Sequence, residues 1–85
     1  MSRQHHELKI KTKYFREIES GDKTFEVRYN DRNFQKYDIL HLREYADGEY
    51  TSRKIDAEVT YILYDKEFCK EGYVIMAIKV INVIN

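Results

Sequence analysis

Lys23, Glu26 and Arg28 are the residues of this chain whose types and spacing are best suited to chemistry. They fall in the run Gly21-Asp22-Lys23-Thr24-Phe25-Glu26-Val27-Arg28-Tyr29-Asn30-Asp31-Arg32. An ammonium and a guanidinium supply donors for an anionic or polar ligand, and a carboxylate between them can orient both. Phe25, Val27 and Tyr29 alternate with Thr24, Glu26, Arg28 and Asn30, which predicts a strand over 24–30 with its apolar face toward the core. Glu26 and Arg28 then lie about 6.6 Å apart along one face, within reach of an ion pair that could hold Arg28 ready for a ligand. Gly21 closes the preceding amphipathic stretch where a helix end calls for positive φ. Lys23 falls at the turn between the two elements, where its ammonium can join the polar face.

The elements that must position these residues follow from periodicity. His6 to Ile10 predicts an opening strand. Thr12 is a candidate N-cap, and Tyr14, Phe15 and Ile18 form the apolar stripe of a helix over 12–20. Asp31, Arg32 and Asn33 form a turn, with Phe34 folding back onto the core. Asp38 to Tyr45 predicts a strand with Leu40 and Leu42 on one face, and Ala46-Asp47-Gly48-Glu49 a hairpin turn. A fourth strand over 54–64 carries Ile55, Ala57, Val59, Tyr61 and Leu63 on one face. Residues 65–72 read as a polar loop. A fifth strand over 73–84, apolar on both faces, is expected to be central or covered by the helix. The expected core is Phe25, Val27, Leu40, Leu42, Val59, Tyr61, Met76 and Ile78. Five short strands and one early helix predict an α+β, mainly β domain spanning 1–85, curled into a small barrel with the helix over one end.

Composition limits the partners. Eight Tyr and four Phe in 85 residues, with 42% hydrophobic residues, suit one small folded domain. Fifteen basic and fifteen acidic residues cancel, so no global field drives nonspecific binding to nucleic acid. The charge is nonetheless uneven, with nine Lys/Arg against six Asp/Glu in residues 1–36 and six against nine in residues 37–85. Lys9, Lys11, Lys13, Arg16 and Lys23 can form a local anion-attracting patch. Cys69 is alone, no signal-peptide run opens the chain, and the most apolar segment is too short to span a bilayer. A cytoplasmic protein without a membrane partner is expected.

Other chemistries find little support. His5 and His6 are adjacent and point to opposite faces of a strand, and His41 has no Cys or His at ligand spacing, so no metal site is expected. Cys69 lacks the neighbours that activate a thiol. No phosphate loop or other cofactor motif occurs. Asn30 and Arg32 at the turn, and Tyr50, Thr51 and Arg53 after the hairpin, are candidates for the far wall of a cleft around Lys23, Glu26 and Arg28. Each also suits an ordinary turn or strand end.

Gly21-x-Lys23-x-x-Glu26-x-Arg28 resembles the G-x-K-x-x-E-x-R signature of the ASCH superfamily, whose domains have a PUA-like β-barrel fold. His6-Glu7-Leu8-Lys9, Tyr14-Phe15, Asn30-Asp31-Arg32-x-Phe34, Asp38-Ile39-Leu40, Glu44-Tyr45, Gly48-x-Tyr50-Thr51 and Gly72-Tyr73-Val74 resemble a small bacterial and phage branch of it, mainly of unknown function. The likeness covers nearly the whole chain. Tyr37 stands where that branch usually has Gly, and Ser52 where Thr-Gly-Arg is usual.

Two function classes follow. The resemblance implies an RNA-binding module using a helix-and-strand cleft, with Lys23 and Arg28 for phosphate or base and Tyr residues for stacking. A nucleotide-like small molecule is the related alternative ligand. The resemblance also admits a nucleoside hydrolase, because some compact ASCH proteins cleave acylated pyrimidine nucleosides with Lys, Thr and Glu in the site. Lys23 matches that lysine. Glu26 occupies the threonine position, and Thr24 lies about 6.6 Å along the strand. Binding is therefore favoured over catalysis. An accessory role in a phage or mobile element is compatible with either.

Overall fold

Period-two alternation produces five strands in a single sheet. The computed structural model describes residues 3–85. In chain order the elements are β1 (His5–Lys11), α1 (Thr12–Glu19), β2 (Phe25–Tyr29), β3 (Ile39–Ala46), β4 (Glu49–Leu63) and β5 (Tyr73–Ile84). The strand order is β1-β3-β4-β5-β2, with β1 parallel to β3 and every other pair antiparallel. The sheet curls into a half-barrel, and α1 packs against β1 and β3. This is the expected α+β, mainly β architecture. No helix among the described residues is long and apolar enough to cross a membrane.

Inward-facing Leu8, Ile10, Leu40, Leu42, Ile55, Ala57 and Val59 meet Val74, Met76 and Ile78 across the curl, closed by Phe15 and Ile18 of α1 and by Phe34. Five of the expected core residues are therefore buried: Leu40, Leu42, Val59, Met76 and Ile78. Three are not. Phe25 is 44% exposed, Val27 48% and Tyr61 61%.

The Tyr61 error has a local cause. The β4–β5 register shifts between Val59 and Tyr61, so one residue is added and the alternation reverses. Ile62, not Tyr61, then packs against the core. Phe25 and Val27 are exposed because of pairing with β5. Glu26 lies opposite Met76 and Arg28 opposite Val74, both buried, so the polar side chains of β2 share the inner face.

Smaller corrections concern element ends. Lys11, not Thr12, is the residue before the helix, and it makes no side-chain cap. Strand β4 begins at Glu49, five residues early, because the hairpin pairs up to its turn, where Asp47 has φ 53°. Strand β5 lies between β4 and β2, but α1 does not cover it, and its residues 79–84 are exposed on both faces.

Asp38 joins the start of the chain to the loop before β3. Its carboxylate accepts the backbone N–H of Gln4 at 3.0 Å, that of Gln35 at 2.9 Å and the ring of His6 at 2.9 Å. Burial by itself would raise the Asp38 pKa. The bonds from His6, Gln4 and Gln35 together outweigh it and hold the carboxyl below the usual aspartate value. A lowered folded pKa means that the unfolded chain binds the proton more readily. The stabilisation is thus complete above the unfolded value of about 3.9 and is lost as pH falls through the folded one. Asp38→Asn should lower the thermal midpoint at pH 7, and the gap to wild type should shrink as melts are taken below about pH 4.

Tyr37, beside it, has φ 78° with its side chain half exposed. This left-handed conformation explains why Gly suits the position. A side chain there costs about 1–2 kcal/mol, against about 0.5–1 kcal/mol for the extra unfolded freedom of Gly. Tyr37→Gly should therefore stabilise the protein by about 0.5–1 kcal/mol in denaturant titration, because the bond from its N–H to the Val59 carbonyl is kept.

Candidate functional site

The ends of the curled sheet, β1 and β2, face each other without a backbone ladder. Two arginines cross the gap instead. Arg28 Nη2 donates to the Lys9 carbonyl at 2.6 Å, and Arg32 Nη1 donates to the Glu7 carbonyl at 3.0 Å. Beside this seam α1 completes a cleft of about 790 Å³, within the range of small-ligand sites.

Gly21, at φ 88°, turns the chain out of the helix, and the Lys23 N–H returns to the Glu17 carbonyl at 2.9 Å. This fixes Lys23 over the start of β2. Its ammonium donates to Glu26 Oε1 at 2.9 Å and to the Phe25 carbonyl at 2.7 Å. Arg28 Nε donates to Glu26 Oε2 at 2.6 Å. Glu26 is only 5% exposed, so it is a buried carboxylate held by two cations. The Lys23 ammonium also lies 5.4 Å from the Tyr14 ring centroid and 4.9 Å from that of Phe25. The exposure of Phe25 and Val27 now has a local consequence: both line the cleft, with Tyr14, Tyr29 and Tyr73.

The cleft is an aromatic-walled recess with cations at its base. Lys11, Lys23 and Arg28 stand against Glu17, Asp22 and Glu26, so the charges of the lining balance. The Lys9 ammonium instead lies over the Tyr45 ring, 4.4 Å from its centroid, and Lys9 meets the seam through its carbonyl. Because both oxygens of Glu26 are engaged, its use as a base for water would require breaking an ion pair. Thr24 is exposed and does not line the cleft.

The expected site residues divide. Lys23, Glu26 and Arg28 come together. Arg32 bridges the seam rather than pointing into the cleft, and also approaches Asp31 at 3.8 Å. Asn30 serves the turn, its Oδ1 accepting the Phe34 N–H at 3.0 Å. Tyr50 and Arg53 do not form the opposite wall, which is the β1 edge at Lys9, Ile10 and Lys11. Tyr50 packs edge-to-face on Tyr45, 5.1 Å between centroids, on the outer face of the hairpin. Arg53 bonds Glu19 at 2.8 Å, lies 3.6 Å from buried Glu44 and covers the Phe15 ring. Of the basic patch, Lys11 and Lys23 line the cleft, the Lys9 ammonium lies over the Tyr45 and Tyr50 rings, and Lys13 and Arg16 do not line it.

Residues missed by sequence reasoning include Tyr14, read as part of the core stripe, and Tyr73 on β5. Gly72 was missed as well: a Cβ there would sit 2.6 Å from the Tyr29 ring, so this glycine makes room for a wall of the cleft. His41, read as partnerless, meets Asp56 at 2.6 Å and His5 at 2.9 Å across three strands on the outer face. Among the described residues no group of three or more His, Cys, Asp or Glu is placed to hold a metal ion.

Residues 5–78 match a domain of unknown function, DUF3850. The chain belongs to this family. It is also 38% identical over 71 residues to an uncharacterized 12.9 kDa protein in the GpA 3' region of Escherichia phage P2. The match takes in 84% of this chain and 64% of the phage protein, so the chain spans somewhat less than two thirds of that relative. The family match covers β1 through Ile78 of β5, and therefore every residue of the cleft.

Removing Glu26 would leave two cations facing each other in a largely desolvated position. Glu26→Ala should cost about 3–5 kcal/mol in the denaturant midpoint, the scale of a broken buried pair. A change near the 1 kcal/mol of an exposed pair would show that the carboxylate does not hold the seam.

Proposed function

We propose that this protein binds single-stranded RNA in the cleft between α1, the β1 edge and β2. The observation that carries the proposal is the pairing of aromatic walls, exposed Tyr14, Phe25 and Tyr29 and half-buried Tyr73, with the cations Lys23, Arg28 and Lys11. Unpaired bases stack on aromatic side chains while phosphates take up the cations, and neither contact needs a large net charge. A volume of about 790 Å³ suits one or two nucleotide units rather than a duplex. The resemblance of Gly21-x-Lys23-x-x-Glu26-x-Arg28 to the ASCH signature supports the same ligand class, and we read the family as a PUA-like branch of that superfamily. The likeness to a phage protein supports an accessory role in a phage or mobile element, and the proposed role is a cytoplasmic one.

Hydrolysis of acylated nucleosides is the weaker proposal. The Glu26 carboxylate, at the position of the expected threonine, is fully engaged by Lys23 and Arg28.

Fluorescence anisotropy with a short labelled single-stranded RNA tests the binding proposal. Tyr14→Ala and Lys11→Ala change exposed side chains that make no hydrogen bond to Glu26. Tyr14→Ala should weaken binding by about 1–3 kcal/mol, the value of one stacked base. Lys11→Ala should reduce the salt dependence by about one phosphate contact. Lys79→Ala, outside the cleft, should change neither. Equal weakening by all three would mean diffuse attraction, and no binding at low salt would remove the proposal.

A further inference from the structure

The cleft does not end at β2. Tyr29 and Tyr73, edge-to-face with centroids 5.5 Å apart, form one wall of it and also one wall of a second hollow of about 280 Å³. The far side of that hollow carries Tyr64, Lys66 and Lys70 from the loop after β4. Tyr64 and Asn30 in turn border a third hollow of about 460 Å³, which holds Tyr61 and Lys36. Shared walls make the three a continuous path around the end of the sheet where β2 and β4 finish and β5 begins.

The path is unusual in what it exposes. Tyr64 is 71% exposed, Tyr61 61% and Tyr29 58%. Tyrosines are normally placed so that the ring is covered and only the hydroxyl is wet, so three bared rings in sequence form a surface suited to a flat ligand. Lys36, Lys66 and Lys70 alternate with them, and among the described residues none of the three is in an ion pair. Glu71 is the one carboxylate of the second hollow, and the third has none. Over the whole path six cations, Lys11, Lys23, Arg28, Lys36, Lys66 and Lys70, face four carboxylates, a surplus of two on a chain of zero net charge. The charge balance of the sequence thus hides a basic aromatic strip.

We propose that one RNA strand seated in the Lys23–Arg28 cleft continues over Tyr29 and Tyr73 to Tyr64, Lys66 and Lys70 and ends at Tyr61 and Lys36. This rests on the RNA reading of the cleft and extends it from a one- or two-nucleotide pocket to a site of about six, within the ~4–16 nucleotides typical of small single-strand-binding barrels. Stacking on tyrosines gives little choice between bases, so the site selects single-strandedness more than sequence. Lys66 and Lys70 belong to the negatively charged half of the sequence, yet they stand beside the cleft. Neither can serve as a neutral control for it.

The experiment measures affinity for oligouridylates of two, four, six and eight nucleotides, with the full chain at fixed salt. Affinity should rise with length up to about six nucleotides and then level. Tyr64→Ala, and the pair Lys66→Ala with Lys70→Ala, should weaken the eight-mer about tenfold and leave the dinucleotide unchanged. Tyr14→Ala should weaken both lengths, and Lys79→Ala neither. If the dinucleotide binds as tightly as the eight-mer, or Tyr64→Ala is silent on it, the path is wrong while the cleft stands. If no length binds, both fall. If Tyr64→Ala alters sedimentation but not RNA affinity, the bared tyrosines are a protein interface and the proposal is overturned.

Discussion

The strand order leaves β1 and β2 as the two unladdered edges of the sheet, so their junction is held by side chains rather than by backbone pairing. At its centre is the Glu26 carboxylate. Its two oxygens hold Lys23 on one side and Arg28 on the other, and Arg28 uses its remaining reach to bond the Lys9 carbonyl. An arginine fork suits this work, because its donors lie in one plane and can serve a carboxylate and a carbonyl together. The seam satisfies part of an edge strand that would otherwise present bare carbonyls to any extended chain. It also leaves a gap in the wall of the half-barrel, and the cleft occupies that gap.

The same constraint explains why β2 is turned over relative to its apolar pattern. With Glu26 opposite Met76 and Arg28 opposite Val74, the charged cluster lies on the core face. Phe25, Val27 and Tyr29 are then pushed outward beside Ala77, Ile75 and Tyr73. A buried ion cluster is not an efficient source of stability, since desolvation offsets much of the attraction. Its place here is as a bridge between strands, with the outward aromatics as the accompanying feature from which a binding surface is built. Stability of the seam and shape of the cleft are therefore coupled through the same three side chains.

Around this seam, other polar groups fasten the chain at single points. Asp38 collects donors from Gln4, Gln35 and His6 where β1 and β3 begin their parallel pairing. Glu44, also buried, accepts the Thr51 hydroxyl at 2.9 Å and lies beside Arg53, which links the hairpin to α1. Every buried polar side chain of the described residues has a partner. In a domain of this size such anchors matter, because the apolar core is small and each fixes the register of a strand.

The number of strands, the helix and its glycine stop, the Asp-Gly hairpin, the burial of Leu40, Leu42, Val59, Met76 and Ile78, and the grouping of Lys23, Glu26 and Arg28 were all readable from the amino-acid sequence. Each is set by local periodicity or by a residue's own backbone preference, which act over a few positions. The direction of β2 was decided elsewhere, by its register against β5, and the exposure of Tyr61 by one extra residue in the pairing of β4 with β5. A period-two pattern states that two faces differ but not which one meets the core when the polar face can be neutralised internally. Likewise Lys66 and Lys70 sit some forty residues from Arg28 and in the acidic half of the chain, and only the curl of the sheet brings them beside the same cleft. Charge in the sequence is a sum, whereas charge at a surface depends on which residues folding makes neighbours.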